Sequence, residues 1–237
     1  MREITHKGLA RLVGLYGSHA IDSDNLQILE SSSVEPDEEK RKKLGKGMFE
    51  AIMASIGWFA DHTDNAKELS IQYINKASEA FNSGDRSWSR WLGWSFHFIT
   101  DWATPYHSLK LMSRYISDSI SNKSNKESAN DEGIFLKILK GLSGLLKLKE
   151  DHDNFELICE KRWQQNEPII KDNFIKFKHN RIFSVNLEIF SEMMDELQVK
   201  NENLLLDWVI NCSDLEFAQY MTDIAIVMDV AYSLVLG

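Results

Sequence analysis

Apolar residues recur at three- and four-residue intervals along most of this chain, and few stretches alternate between apolar and polar positions. The first spacing belongs to one face of a helix, the second to a half-buried strand. The pattern therefore predicts an all-α protein. Its first helix is predicted over residues 4–16, with Thr5 as a candidate N-cap. The apolar stripe of that helix comprises Ile4, Leu9, Leu12, Val13 and Tyr16.

Further helices are expected wherever the same spacing returns between turn residues. The polar stretch over residues 17–43 is interpreted as a loop, and within it Val34-Glu35-Pro36-Asp37 is expected to be a sharp turn that exposes Asp37 at a helix start. Residues 82–85 are interpreted as another turn. Helices are predicted at 46–59, 65–81, 86–103, 108–120, 134–149, 150–165, 169–177, 184–197 and 203–236, the last with a break near 211–214. The segment 121–133 is low in apolar residues and is expected to be a surface loop. Neither a repeat nor a domain boundary is evident, so residues 1–237 are predicted to form one helical domain, in which 167–237 complete the bundle begun by 1–166.

Charge and targeting signals narrow the classes of function. The formal net charge is −9, which argues against non-specific nucleic-acid binding, because such binding depends on Lys and Arg contacts to phosphate. Cys159 and Cys212 form neither a metal-type pair nor a disulfide framework, and both are expected to be buried thiols. The N-terminal sequence lacks a secretion signal, and no uninterrupted apolar run reaches about 18 residues. A soluble, cytoplasmic protein is the expectation.

Candidate chemistry is concentrated in residues 90–109, RWLGWSFHFITDWATPYHSL. A helix places His97 and Asp101 one turn apart on the same face. Pro105 biases Thr104 away from helical angles, so this helix should end near residue 103. The turn that follows brings His107 towards the pair from another direction. Imidazole and carboxylate groups in an apolar segment suit a divalent metal such as zinc.

A second pair, His152 and Glu156, repeats the four-residue spacing of His97 and Asp101. One such pair is more often a solvated or capping pair than a ligand pair. Two pairs, together with His107 between them, favour a metal site. His179, within KFKHNR, is interpreted as a surface residue.

These motifs resemble those of the zinc-dependent phospholipase C and S1/P1 nuclease superfamily, an all-helical fold that holds three clustered zinc ions. The segment LGWSFHFITDWATPYHS is similar to the family's L-G-x-S-x-H-(apolar)-x-x-D-x-x-x-P-x-H-(small) segment. HDNFE, which contains His152 and Glu156, is similar to its H-x-x-x-E. Shorter matches are Ile4-Thr5-His6, Glu35-Pro36-Asp37 and Asp61-His62, and the resemblance covers about residues 1–166.

The resemblance implies a set of ligands for two to three zinc ions. One zinc would be held by Asp37, His62, His97 and Asp101, a second by His107, His152 and Glu156, and a third by His6 with Asp101 as a bridging ligand. Secreted phospholipases of the family complete the third site with an N-terminal tryptophan amine, whereas this chain begins MREIT. His19 is an alternative to His6, and Asp61 or Asp64 to Asp37.

The resemblance also implies zinc-dependent phosphodiesterase activity of the phospholipase C type, using a metal-activated water. Asp37 or a metal-bridging hydroxide is the expected base. Trp58, Phe59 and Trp102 are expected to line the substrate site, although tryptophans at helical spacing also occur on buried helix faces. The expected partner is a phospholipid or another phosphodiester, with peripheral membrane contact, and no stable protein partner is indicated. The alternatives are a single-strand nuclease of the same fold and a helical metal-binding protein without turnover.

Overall fold

The computed structural model describes residues 3–37, 65–121, 134–178 and 185–237, with side chains from residue 140 to 177 in the third range. Within these ranges the chain forms helices and no strand, which confirms the all-α prediction. The helices are α1 (Glu3–Tyr16), α2 (Ser23–Ser32), α3 (Ala66–Asn82), α4 (Trp88–Ala103), α5 (Leu109–Ser121), α6 (Ile134–Lys178), α7 (Leu187–Asn201), α8 (Leu206–Asn211) and α9 (Asp214–Leu236), and a 3-10 turn, Pro105–His107, joins α4 to α5. The predictions for His62, Trp58, Phe59, Asp61, Asp64, His179, the helix at 46–59 and the loop at 122–133 lie outside the described residues.

Helix α9 is the central helix of the core. It begins with a capping box between Ser213 and Glu216, and it packs against α1, α3, α4, α6 and α7. One hydrophobic cluster contains residues from both 1–166 and 167–237. By length and composition α9 could also cross a membrane, but 72% of its most apolar window is buried inside the fold. Its apolar surface is therefore used for packing against the other helices.

Two glycines, Gly93 in α4 and Gly8 in α1, allow neighbouring helices to approach closely near the candidate ligands His97 and His6. A Cβ at Gly93 in α4 would lie 2.1 Å from Ser32 Oγ and 2.8 Å from the Leu29 carbonyl oxygen, both in α2. A Cβ at Gly8 in α1 would lie 2.5 Å from the ring of Trp163 in α6. Any larger residue would push these pairs of helices apart. The glycines thus set the distances of α2 from α4 and of α1 from α6.

Part of the predicted loop after α1 is helical. Asp22 caps α2 by accepting a hydrogen bond from the Asn25 backbone N–H, and Leu29 anchors the helix in the core with no exposed surface. The prediction missed α2 because its other residues are mostly polar. Thr5 is not an N-cap, since it lies inside α1 and is fully buried.

Helix α6 replaces the three shorter helices predicted between residues 134 and 177. It runs for 45 residues and contains Pro168. A proline inside a helix leaves the carbonyl four residues earlier without its usual donor. Here both Pro168 and Gln164 are exposed, so water can reach that carbonyl. The predicted ends near 103 and 120 and the break near 211–214 are confirmed.

Candidate metal centre

The end of α4 positions three of the candidate ligands. His97 and Asp101 lie one turn apart and are buried, as their spacing predicts. Thr104 is extended, with φ −87° and ψ 119°, so α4 ends at Ala103 as Pro105 requires. The 3-10 turn Pro105–His107 then directs the buried His107 back towards Asp101.

One group of candidate ligands consists of His6, Asp37 and His97, whose ligand atoms all lie within 4.8 Å of one another. The rings of His6 and His97 are stacked with centroids 4.7 Å apart. Asp37 Oδ1 lies 3.8 Å from His97 Nε2. Two residues before Asp37, the Glu35 carboxylate accepts hydrogen bonds from Arg90 Nε and Trp94 Nε1 of α4. These bonds fix the helical residues 35–37, which follow a turn at residues 33–34 and include Asp37, to the same helix that carries His97.

A second group consists of His107, His152 and Glu156, again within 4.8 Å. The Nε2 atoms of His107 and His152 are 2.8 Å apart, and His152 Nε2 lies 3.3 Å from Glu156 Oε1. His152 and Glu156 are neighbours on one face of α6, as predicted. Tyr106 packs its ring edge-on against His152 at 6.1 Å and closes the group towards the core.

Asp101 links the two groups. Its Oδ2 lies 3.1 Å from His97 Nε2 and its Oδ1 lies 3.5 Å from His107 Nδ1. The resemblance implies a bridge from Asp101 to a separate site containing His6. In the structure His6 instead belongs to the same group as His97, and Asp101 connects that group to the group of His107. The described residues therefore form one cluster of two groups.

Two neighbours that orient the imidazoles were missed by the sequence analysis. The Ser33 carbonyl oxygen lies 3.0 Å from His97 Nδ1, so Nδ1 donates and Nε2 faces the carboxylates. Asp153 Oδ1 lies 3.5 Å from His152 Nδ1, on the opposite side of that ring from Glu156. Such partners on the outer ring nitrogen are typical of metal-ligating histidines. Backbone carbonyls carry no sequence signal, and Asp153 directly follows His152 in the sequence, a spacing at which side chains on a helix do not face each other.

The pKa values of the residues in the centre depend on burial and on the charges of their neighbours. Burial lowers the pKa of His6 well below its ordinary value, and the nearby His97 lowers it further. Burial also opposes the charged form of His97, but Asp101 and Asp37 outweigh it and raise its pKa. In the second group burial is likewise outweighed, chiefly by Glu156, and the pKa of His152 rises to about 9. Burial would raise the pKa of Glu156, yet neighbouring positive charge, including His152, holds it well below its usual range.

The residues fit a divalent metal such as zinc. Both ring nitrogens of His6 are buried, and neither has a hydrogen-bond partner among the described residues. A buried imidazole without a partner is costly, and a metal ion bound to one of its nitrogens would remove part of that cost. Four imidazoles and three carboxylates converge, which are zinc's usual nitrogen and oxygen ligands. His6, Asp37, His97, Asp101, His107, His152 and Glu156 are the residues that would hold it.

Other candidates lie away from this cluster. His19, the alternative to His6, packs edge-on against Tyr232 of α9. Trp102 is half-buried, and its indole N–H donates to the Met194 carbonyl of α7 at 2.8 Å. These contacts are those of a packing residue, and a substrate contact of Trp102 stays a prediction. Cys159 is buried and Cys212 half-buried, both as free thiols.

No protein-family model, no curated protein and no solved structure matches this chain.

Proposed function

We propose that this protein is a cytoplasmic, zinc-dependent phosphodiesterase of the phospholipase C type, acting on a phospholipid or a related phosphodiester. The fold would be that of the phospholipase C and P1 nuclease superfamily. The convergence of six buried or half-buried ligand-type side chains around the buried Asp101 carries the proposal. Residues distant in sequence supply these side chains, and a cation could bind one of the two buried nitrogens of His6, which have no hydrogen-bond partner among the described residues.

The solvent exposure of each carboxylate in the centre indicates the role that it would have. Bound zinc would supply a polarised phosphoryl oxygen and a water of lowered pKa. The Asp37 side chain is 23% exposed, compared with 14% for Glu156 and 2% for Asp101. Asp37 is therefore the carboxylate best placed to meet water and substrate, and it would take the proton of the attacking water. Asp101, enclosed between two imidazoles, would hold them in place.

The substrate class is tested by parallel assays of one preparation. Hydrolysis of a phosphatidylcholine analogue and of single-stranded DNA should be compared at equal metal content. Faster turnover of the lipid analogue supports the proposal. Preferential cleavage of DNA would assign the centre to a nuclease, although the net charge of −9 opposes binding of a polyanion. Absence of turnover on both, with metal bound, would leave a metal-binding protein.

The role of Asp37 is tested by Asp37→Asn. Loss of a general base typically lowers kcat by about 10²- to 10⁴-fold. If Asp37 acts as a base alone, the zinc content should stay unchanged, whereas loss of zinc would assign it as a ligand. Asp24→Asn is the matched control, because Asp24 is an exposed aspartate in the first turn of α2. Full activity of Asp37→Asn would refute both roles.

A further inference from the structure

The N-terminal part of α6 differs in composition from the rest of the chain. Residues 134–149, IFLKILKGLSGLLKLK, contain four lysines and no acidic residue, in a chain whose net charge is −9. The remaining residues are mainly Leu and Ile. A helix that combines lysines with bulky apolar residues is typical of segments that lie on a membrane surface.

The structure determines which side of this segment is covered. Helix α5 packs closely against it at Gly144, where a Cβ would lie 2.5 Å from the Tyr115 carbonyl oxygen and 2.7 Å from Ser119 Oγ. Leu148 is buried on the covered side, with 1% of its surface exposed. The described positions from residue 140 onwards thus have one side fixed against α5 and the core.

Other side chains of the segment point to solvent. Leu142 is 44% exposed and Leu146, one turn further along, is 69% exposed. Lys149 continues the same row, with 69% of its side chain exposed. We call these three residues the outer face of α6. Lys147 lies about 100° around the helix from Leu146 and has 57% of its side chain exposed.

We propose that the outer face of α6 docks on the surface of an anionic phospholipid bilayer. Leu142 and Leu146 would enter the boundary between headgroups and acyl chains, while Lys147 and Lys149 would contact lipid phosphates. Leu146 precedes His152 by six residues, a rise of about 9 Å along a helix. Docking would therefore hold the metal centre close to the bilayer surface. The inference rests on the proposed function for its substrate, but lipid binding is measurable without turnover.

The ion pairs of the two lysines do not prevent such docking. Lys149 pairs with Asp153 one turn further along α6, and both side chains are exposed, so this pair contributes little free energy and Lys149 can exchange it for a lipid phosphate. Lys147 pairs with the exposed Glu150 and with Asp151, whose side chain is only 11% exposed. An ammonium group has three donors, so Lys147 can keep its bond to Asp151 and still donate to a lipid phosphate. In a symmetric dimer through this face, the lysines of two copies would instead oppose each other.

The test is sedimentation of the full chain with lipid vesicles. Vesicles of phosphatidylcholine and phosphatidylglycerol, at roughly three to one, should bind the wild-type protein more strongly than pure phosphatidylcholine, and added salt should weaken this binding. The variant Leu142→Ser/Leu146→Ser should bind about tenfold more weakly or worse, since two apolar side chains lose their burial in lipid. Leu215→Ser is the matched control, because Leu215 is 68% exposed near the start of α9. It should bind as the wild type does.

Thermal unfolding should be unchanged in the double variant, and Leu146→Ser alone serves if the double variant does not fold. Equal vesicle binding by wild type and variant, or no binding by the wild type, overturns the proposal. So does a variant that changes only the oligomeric state, since the face would then contact a second copy. Hydrolysis of a soluble phosphodiester separates the two proposals: vesicle binding without any hydrolysis refutes the function alone. A variant that keeps soluble turnover but loses vesicle binding supports both.

Discussion

The Nε2 atoms of His107 and His152 lie 2.8 Å apart, although 45 positions separate the residues in the sequence. The two rings are stacked, with centroids 4.9 Å apart. His107 lies in the 3-10 turn after α4, and His152 lies in the long helix α6. At this distance the two nitrogens cannot both carry a proton towards each other. Either a shared proton or a metal ion must occupy the space that they face with Glu156.

Metal content is the first property that follows from this geometry. Purified protein should contain roughly two to three zinc ions per chain. The variant His6→Ala should lose about one of them, because it removes a buried ligand from the group with Asp37 and His97. Elemental analysis measures the ratio of zinc to protein.

The control for this measurement is His19→Ala. His19 packs against Tyr232 outside the cluster, so its removal should leave the zinc content unchanged. Equal loss of zinc from the two variants would contradict the assignment of His6. A purified protein that contains no metal, and whose thermal stability does not change when a chelator is added, would contradict the metal centre itself.

The metal-free protein should lose stability as the pH rises through the alkaline range. The pKa of His152 is raised to about 9, chiefly by Glu156 acting against burial. A raised pKa contributes stability that is fully present below the unfolded value, about 6.5. This contribution should decline between about pH 6.5 and pH 9 as His152 loses its proton. Urea unfolding of the chelated protein at a series of pH values measures the decline.

Glu156→Gln is the control for the pH series. It removes the carboxylate that raises the pKa of His152, so the decline over this range should become shallower. A decline that is unchanged in Glu156→Gln would assign the pH dependence to other groups.

The parts of the centre that were predictable are those set by local geometry. The pairs His97–Asp101 and His152–Glu156 follow from helix periodicity, and both meet in the structure. The end of α4 follows from Pro105, because a proline disfavours helical angles at the residue directly before it. Residue spacing and proline both act within one turn of a helix, so these features can be predicted from the sequence alone.

The parts that were not predictable depend on contacts between distant segments. The apolar spacing in α3 predicts a buried stripe of Ala66, Leu69, Tyr73, Ala77 and Phe81. Ala66 and Ala77 are buried, but Leu69 and Tyr73 are half-buried and Phe81 is exposed. The other buried positions are Ser70, Ile74 and Ala80. Small side chains are selected there by close packing against α4, which periodicity cannot reveal. The contact of the Ser33 carbonyl with His97 cannot be predicted from the sequence either, since every residue has a carbonyl. The grouping of His6 with His97 depends on how α1 packs against α4 and α6.

The variant Trp102→Phe separates a packing role from a substrate contact. Phenylalanine keeps an aromatic ring between α4 and α7 but loses the hydrogen bond to the Met194 carbonyl. The free energy of unfolding should fall by about 1 kcal/mol, the usual effect of one such bond. The KM for a phospholipid analogue should not change. A raised KM at unchanged stability would instead support the predicted substrate contact.

Gly93→Ala should disturb the metal centre without altering any candidate ligand. Its new Cβ would meet Ser32 Oγ at 2.1 Å and the Leu29 carbonyl oxygen at 2.8 Å, so α2 must move away from α4. We expect a loss of about 1–3 kcal/mol in the free energy of unfolding, as is usual for overpacking. The shift should also weaken the contact between the Ser33 carbonyl and His97 Nδ1, one turn further along α4. Zinc affinity, measured by competition with a chelator, should therefore fall.

Gly141→Ala in α6 is the matched control, because its Cβ would only touch Ile116 at 3.7 Å. Alanine favours a helix over glycine by up to about 1 kcal/mol, so this control should be as stable as the wild type or more stable. Equal zinc affinity in Gly93→Ala and Gly141→Ala would show that the approach of α2 to α4 does not position His97.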